Sequence, residues 1–313
     1  MPVRIVFCGT PAFAVPALEH LIAQSDIRVE GVVTQPDRPR GRGNELAISP
    51  VKSTALAAGL SVFQPEKIRT PEAVAYFEQI APDCVVIIAY GQIIPAKLID
   101  IPRLGWINVH ASLLPKYRGA APISWAIVNG ESETGLTTMR IDPGLDTGPV
   151  LLRTRLAIGP DETAPQLSAR LGRAGAPLIH RTLRLVEAGE IIAEPQDNSQ
   201  ATFAPPLKKE DGRIDWRLPV AQIYNRIRGL QPWPGTFTLF RGRNCQIEGR
   251  PTGADGKSSA GAPGTIHAER SGIFVDCGEG SLLVEFVQVE GRKRVTAREF
   301  ANGARLNPGD RFG

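Results

Sequence analysis

The chain has 313 residues, 42% of them apolar, which is enough for two domains with real cores and excludes a largely disordered protein. No apolar run approaches the roughly 20 residues a membrane-spanning helix needs, and Met1-Pro-Val-Arg-Ile5 leads straight into a strand rather than a signal peptide, so a cytoplasmic protein with no membrane partner is expected. The net charge of +4 is uneven: residues 1–208 carry 20 Lys and Arg against 20 Asp and Glu, and residues 209–313 carry 16 against 12, so a contact with phosphates is expected in the last third.

Cys8, Cys84, Cys245 and Cys277 have neither metal-site nor redox spacing, and the first two sit in apolar, strand-like runs, which reads as reduced core cysteine. The four histidines are scattered with no i, i+4 pair, so no metal site is expected.

Residues 3–8 form a short apolar run ended by Gly9-Thr-Pro11, and residues 13–23 follow with helical spacing of Ala17, Leu18, Leu21 and Ile22. This opens a βαβ pattern, but without the G-x-G-x-x-G turn a nicotinamide-dependent dehydrogenase is poorly supported. A second strand, 27–34, runs into Gln35-Pro-Asp-Arg-Pro-Arg-Gly-Arg-Gly43, an exposed loop whose Arg38, Arg40 and Arg42 could grip phosphates. Helices are expected over 50–58 and 71–79, each opening on proline, and residues 83–89 read as a buried parallel strand ending at Tyr90-Gly91-Gln92.

Residues 106–110 have strand character, so Asn108 and His110 share a face at a strand end. The amide donor of Asn108 and the imidazole of His110, with room left by Ala111 and Ser112, suit a reaction that builds negative charge on a carbonyl oxygen. Ligands of open α/β sheets lie beyond the carboxyl ends of strands, so Tyr90-Gly91 and His110 are expected to border one pocket. Ser112-Leu-Leu-Pro115 offers an apolar, rigid turn. Helix is expected over 120–128. Strands over 135–141 and 150–157 bracket the turn-rich loop 142–148, whose Asp146 is the acid expected to return against His110.

Residues 163–188 read as helix, kinked or broken near Pro177. A polar, Pro-containing linker follows, dividing a domain over 1–190 and a linker over 191–208 from a second domain over 209–313. In the latter, a helix over 220–230 precedes strand-like segments 236–241, 244–249, 273–276 and 282–289, which suggests a small barrel with a basic cluster at Arg292-Lys-Arg294 and Arg298.

Asn108-Val-His110, Ser112-Leu-Leu-Pro115 and Asp146 within Gly-Leu-Asp-Thr-Gly148 together resemble the folate-dependent formyltransferases. Phe7-Cys-Gly-Thr-Pro-Ala-Phe-Ala14, Asp37-Arg-Pro-Arg-Gly-Arg-Gly43, Ser49-Pro-Val-Lys52, Gln64-Pro65 and Gly212-Arg-Ile-Asp-Trp216 are similar to the branch whose acceptor is methionyl initiator tRNA. The resemblance implies a Rossmann-like, mostly parallel α/β domain followed by an OB-like β-barrel. It also implies 10-formyltetrahydrofolate as formyl donor and initiator methionyl-tRNA as partner, with Asn108, His110 and Asp146 catalytic. Tyr90, Gly91, Ser112, Leu113, Leu114 and Pro115 would border the folate, and Arg38, Arg40 and Arg42 would meet the tRNA acceptor stem. Many family members follow this Gly-Arg-Gly with two lysines, where this chain has Asn44-Glu45. A monomer is expected. The rivals are a formyltransferase acting on a sugar nucleotide or glycinamide ribonucleotide, a hydrolase passing the formyl group to water, and a non-catalytic RNA-binding protein.

Overall fold

The structure, a computed structural model, describes residues 1–40, 45–252, 261–307 and 309–313. Its chain divides into two compact units, one of Met1–Pro122, Glu133–Ala157 and Leu167–Pro205, the other of Ile123–Ser132, Ile158–Gln166 and Pro206–Gly313.

The elements run β1 (Val3–Gly9), α1 (Val15–Ile22), β2 (Ile27–Val33), β3 (Arg38–Arg40), β4 (Glu45–Ala47), α2 (Pro50–Ala57), β5 (Val62–Phe63), α3 (Pro71–Ile80) and β6 (Cys84–Ile88). They continue with α4 (Ala96–Ile99), β7 (Trp106–His110), α5 (Pro122–Val128), β8 (Glu133–Arg140), β9 (Val150–Ala157) and α6 (Ala164–Ala188). One sheet of the first unit has the order β5-β2-β1-β6-β7-β8-β9. The pairs from β5 through to β7 are parallel, and β8 and β9 extend the sheet antiparallel. The chain winds outward from β1 through β2 to β5 and then restarts on the other side at β6, so the order reverses between β1 and β6. Their carboxyl ends open the crevice in which such sheets bind ligands.

Local signals set the helix starts: the Ser49 hydroxyl accepts from the Lys52 N–H and the Thr70 hydroxyl from the Ala73 N–H, each followed by proline at the first helical position. β6 is buried along its whole length, as its continuous apolar run predicts. Beneath it lies a core of Val6, Cys8, Phe77, Val85, Ile87, Tyr90 and Trp106, with the Trp106 indole N–H donating to the Leu98 carbonyl at 2.6 Å.

Two readings change. Helix α6 is a single element of 25 residues that runs through Pro177. Leu167, Leu171, Leu178, Ile179, Leu183 and Val186 are all buried, so apolar packing on both sides of the proline outweighs the lost N–H. The arginine loop begins as a ribbon, with β3 antiparallel to β4 and Arg38 opposite Ala47.

The second unit contains α7 (Val220–Gly229), β10 (Phe237–Phe240), β11 (Arg243–Pro251), β12 (Ile266–Glu269), β13 (Gly272–Asp276), β14 (Ser281–Val289), β15 (Val295–Thr296) and α8 (Ala297–Ala304). Its antiparallel sheet has the order β10-β11-β14-β13-β12, with β15 on β14. Residues 310–313 join the two edges: Phe312 bridges Phe240, Arg311 bridges Thr265, and the Gly313 N–H donates to the Leu239 carbonyl at 3.0 Å. The curled sheet encloses Trp216, Phe240, Phe300 and Phe312. Helix α8 escaped the sequence reading although Thr296-Ala-Arg-Glu299 carries its signal, a capping box in which Thr296 and Glu299 satisfy each other's backbone N–H.

Helix α7 is packed by segments from much earlier in the chain. A Cβ on Gly229 would lie 3.0 Å from methyls of Ile127 and Val128, so glycine permits the approach. The Tyr224 hydroxyl donates to Asp161 at 2.8 Å, and buried Arg228 donates to the carbonyls of Gly159 and Glu162 at 3.3 and 3.0 Å. Burial, then the Asp161 contact, pushes the Tyr224 hydroxyl up to about 12.

All four cysteines are buried and unpaired, and burial pushes the thiols of Cys84, Cys245 and Cys277 up to about 12. A thiol reagent should therefore modify none of them in the native protein and all four after denaturation; rapid native labelling of any one would contradict the packing. Phe77 is fully buried and contacts the rings of Tyr76 and Trp106. Phe77→Ala should cost about 3–5 kcal/mol in urea unfolding.

Candidate active site

The parallel run of the sheet ends at β7, and its last residues set the site. Asn108 pairs in register with Ile87 on β6 and Met139 on β8, and His110 pairs with Thr137, so both side chains project from one face near the strand's carboxyl end. The side-chain amide of Asn108, half-buried, has no hydrogen-bond partner among the described residues, which leaves its N–H groups available to an incoming oxygen. His110 is only 6% exposed. Its Nε2 lies 2.9 Å from the Tyr117 carbonyl, and because a carbonyl can only accept, Nε2 is the donating nitrogen. Nδ1 then faces Asp146, 3.6 Å from Oδ2.

After His110 the chain makes a tight excursion. The Ser112 hydroxyl donates to the Lys116 carbonyl at 2.5 Å, closing the turn on itself. From β8, buried Thr137 donates through Oγ1 to the Ser112 carbonyl at 2.7 Å and accepts from the Leu114 N–H at 3.1 Å. Leu114 packs with Met139 and Val150, and the Leu114–Pro115 peptide is cis. Ser112 and Leu114 thus turn their side chains inward, while Leu113 and Pro115 are partly exposed.

The chain then reaches Tyr117, Arg118 and Gly119, whose backbone serves the site directly. Tyr117 adopts φ 60° and offers its carbonyl to His110. The Gly119 N–H donates to Asp146 Oδ2 at 2.9 Å. Gly119 sits at φ 121°, and a Cβ there would stand 2.7 Å from the Ala204 carbonyl oxygen, so the turn requires glycine.

Asp146 itself has φ 51°, a left-handed conformation in which a non-glycine residue must be held by its surroundings. The loop is braced at its start by Asp142, which accepts from the Thr147 hydroxyl at 2.7 Å and the Gly144 N–H at 3.1 Å. Farther along the chain, the Gln196 amide donates to the carbonyls of Asp146 at 2.8 Å and Gly148 at 2.7 Å. Asp146 Oδ1 has no hydrogen-bond partner among the described residues. The arrangement therefore presents an open amide donor on the same strand face as a buried imidazole, and a carboxylate with one free oxygen beside that imidazole, the parts needed to stabilise an oxyanion and relay a proton.

The other residues singled out by sequence lie as follows. Gly91 is exposed at φ 84°, after Ala89 at φ 49°, so β6 ends in a left-handed turn at the crevice. Tyr90 between them is 2% exposed and turns its ring into the core, away from solvent, while its carbonyl accepts from the Gln35 amide at 3.0 Å. That glutamine precedes the arginine ribbon, whose base is fixed at Asp37 by Lys52 and by the Gln64 amide at 3.0 Å. The Lys52 ammonium, then the Gln64 amide, hold the Asp37 carboxyl below its usual range. Arg38 is exposed and Arg40 lies in the β3–β4 ladder, while Arg42 falls outside the described residues. Among those residues no cluster of His, Cys, Asp and Glu could hold a metal ion, and no helix is long and apolar enough to cross a membrane. Arg118 and Gln196 escaped the sequence reading, the first as one more arginine, the second as linker.

Two family models match the chain: formyl transferase over residues 3–183 and formyl transferase, C-terminal domain, over residues 206–305. The methionyl-tRNA formyltransferase of Solibacter usitatus is 56% identical, with 99% of this chain and 98% of that protein aligned. The enzyme of the same name from Geobacter sulfurreducens is 49% identical over 99% and 96%. Among solved structures, the sugar 3N-formyl transferase WlaRD superposes with a TM-score of 0.63 at 17% identity, covering 94% of this chain and all of that one. HypX from Aquifex aeolicus in complex with tetrahydrofolic acid gives 0.64 at 13% identity over 96% of this chain, which spans about half (47%) of HypX. With both family models matched in order and relatives aligned over nearly their whole length, the chain belongs to the formyl transferase family.

Proposed function

We propose that this enzyme transfers the formyl group of 10-formyltetrahydrofolate to the α-amino group of methionine on initiator tRNA, as the names of its full-length relatives suggest. The observation that carries the reading is the open Asn108 amide beside the His110–Asp146 couple at the end of β7, in a chain similar to those enzymes from end to end. A folate-derived donor is supported further by the folate-bound structural neighbour.

The amine nitrogen attacks the formyl carbon, and the carbonyl oxygen becomes an oxyanion. Asn108 donates to that oxygen, and His110, held from below by the Tyr117 carbonyl, adds its positive field when protonated. As the new C–N bond forms, the ammonium proton passes to the free Oδ1 of Asp146. It is returned to N10 of the folate as the old C–N10 bond breaks, which leaves formylated amine and tetrahydrofolate with atoms and charge balanced. At 3.6 Å the carboxylate and Nδ1 stand too close for a water between them, so Asp146 faces a protonated His110 directly and holds its orientation. The left-handed turn at Ala89–Gly91 and the exposed parts of Leu113 and Pro115 offer the backbone and apolar surface on which a pteridine would lie. The inward Ser112 and Leu114 side chains and the core-facing Tyr90 ring would support that surface from behind.

The acceptor carries phosphates, and two features suit it: Arg38 and Arg40 in the β3–β4 ribbon, with Arg42 two residues later in the sequence, and the basic excess of 16 over 12 in residues 209–313. Charged initiator tRNA is made and used in the cytoplasm, so the enzyme works there. The catalytic trio comes from one chain, which suits a monomer.

Transfer of labelled formyl should be assayed with initiator methionyl-tRNA, elongator methionyl-tRNA and free methionine side by side. Label on the initiator alone is expected; label on water or on a small amine would overturn the RNA acceptor. Asn108→Ala should lower kcat about a hundredfold, the loss of about 3 kcal/mol typical for one oxyanion donor. Asp146→Asn should fold with an unchanged thermal midpoint and be nearly inactive. Turnover close to the parent's in that variant would remove Asp146 from the mechanism.

A further inference from the structure

Residues 194–204 do more than connect two units, for they are stitched along the first one. The Val150 and Glu194 backbones exchange hydrogen bonds of 2.8 Å in both directions. At the other end the Arg118 N–H donates to the Thr202 carbonyl at 2.9 Å and the Ala204 N–H to the Arg118 carbonyl at 2.8 Å. Gln196 lies between these stitches with every hydrogen-bonding position of its amide used. Its nitrogen donates to the carbonyls of Asp146 and Gly148, and its oxygen accepts from Arg118 Nε at 3.1 Å and Nη2 at 2.8 Å.

Arg118 is unusual in its company. It is 4% exposed, and its guanidinium is met by two neutral amides, Gln196 and Asn198, with no carboxylate paired to it among the described residues. Yet the next residue, Gly119, is the one whose N–H holds Asp146 Oδ2. A guanidinium separated from the Asp146 loop by one amide is a ready partner for its carboxylate, and an ion-paired Asp146 is a weaker base.

We infer that Gln196 and Arg118 are positioning residues for the transfer step: the Gln196 amide pins the Asp146 loop through two carbonyls and holds the Arg118 guanidinium off the carboxylate, keeping Oδ1 free. The inference rests on the role of Asp146 proposed above. A one-ångström misplacement of a catalytic group costs up to about a hundredfold in rate. Gln196→Leu, which removes both donors and both acceptors, should therefore lower kcat roughly ten- to a hundredfold with KM for folate and tRNA changed less than about twofold. Gln196→Glu, of equal size and able to keep Arg118 but not to donate to the two carbonyls, should show the same split and guards against misfolding of the leucine variant.

The deciding experiment is a double-mutant cycle on the full-length chain, with formyl transfer to methionyl initiator tRNA as readout. If Gln196 acts through Asp146, Gln196→Leu makes no further difference in the Asp146→Asn background. Three results would overturn the inference: kcat within twofold of the parent in both Gln196 variants, a loss expressed in KM, or losses that multiply in the double variant. Should Asp146→Asn itself prove active, the reading of Asp146 falls; should it be inactive while the Gln196 variants are normal, only the positioning role falls.

Discussion

Three consecutive residues carry the site, and they do so with their backbone. Tyr117 gives its carbonyl to His110, Gly119 gives its N–H to Asp146, and Arg118 between them is paired through both backbone groups to residues 202–204. Main-chain groups cannot change rotamer, so an imidazole and a carboxylate anchored to one turn keep their separation as long as the turn keeps its shape. That shape needs left-handed conformations at Tyr117 and at Asp146, each costing on the order of 1–3 kcal/mol and each held by hydrogen bonds from elsewhere in the same unit. The strain is concentrated where the two groups meet, and the paired backbone around it supplies the rigidity that keeps it.

The sheet explains why this turn stands where it does. β7 is the last parallel strand, and β8 returns antiparallel beside it, bringing Thr137 under the 112–114 turn. A further parallel strand would have required a crossover of a dozen or more residues. The end of β8 lies beside the beginning of β7, with Arg140 opposite Ile107, so the connection between β8 and β9 folds back to bring Asp146 to His110 and Gly119.

What could be read in advance divides along the same line. Asn108 and His110 were legible because a strand repeats every two residues and their neighbours are apolar. Asp146 was legible as an acid in a loop bracketed by two strands. The helix starts at Ser49 and Thr70 were written in adjacent residues, and so was the start of α8 at Thr296, although only the first two were read. Gln196 was not legible: its partners lie 50 and 78 residues away, and a glutamine flanked by proline and aspartate looks like any solvated connection. Side-chain direction was equally hidden. Nothing local shows that the Ser112 hydroxyl bonds inward to Lys116 or that Tyr90 turns its ring to the core, because both follow from what packs behind them. Pro177 does not break its helix, because the buried face continues on both sides of it.

The composition of the second unit bears on how it can be handled and how it forms. Its helix α7 rests against Ile127, Val128, Gly159, Asp161 and Glu162, residues numbered far ahead of the barrel strands. A fragment cut at the apparent boundary near residue 206 would carry the sheet but leave buried Arg228 without the carbonyls that receive it and one side of Gly229 bare. The unit is therefore not separable as a continuous piece of chain. Its stability is tied to segments that lie, in sequence, between the strands of the first.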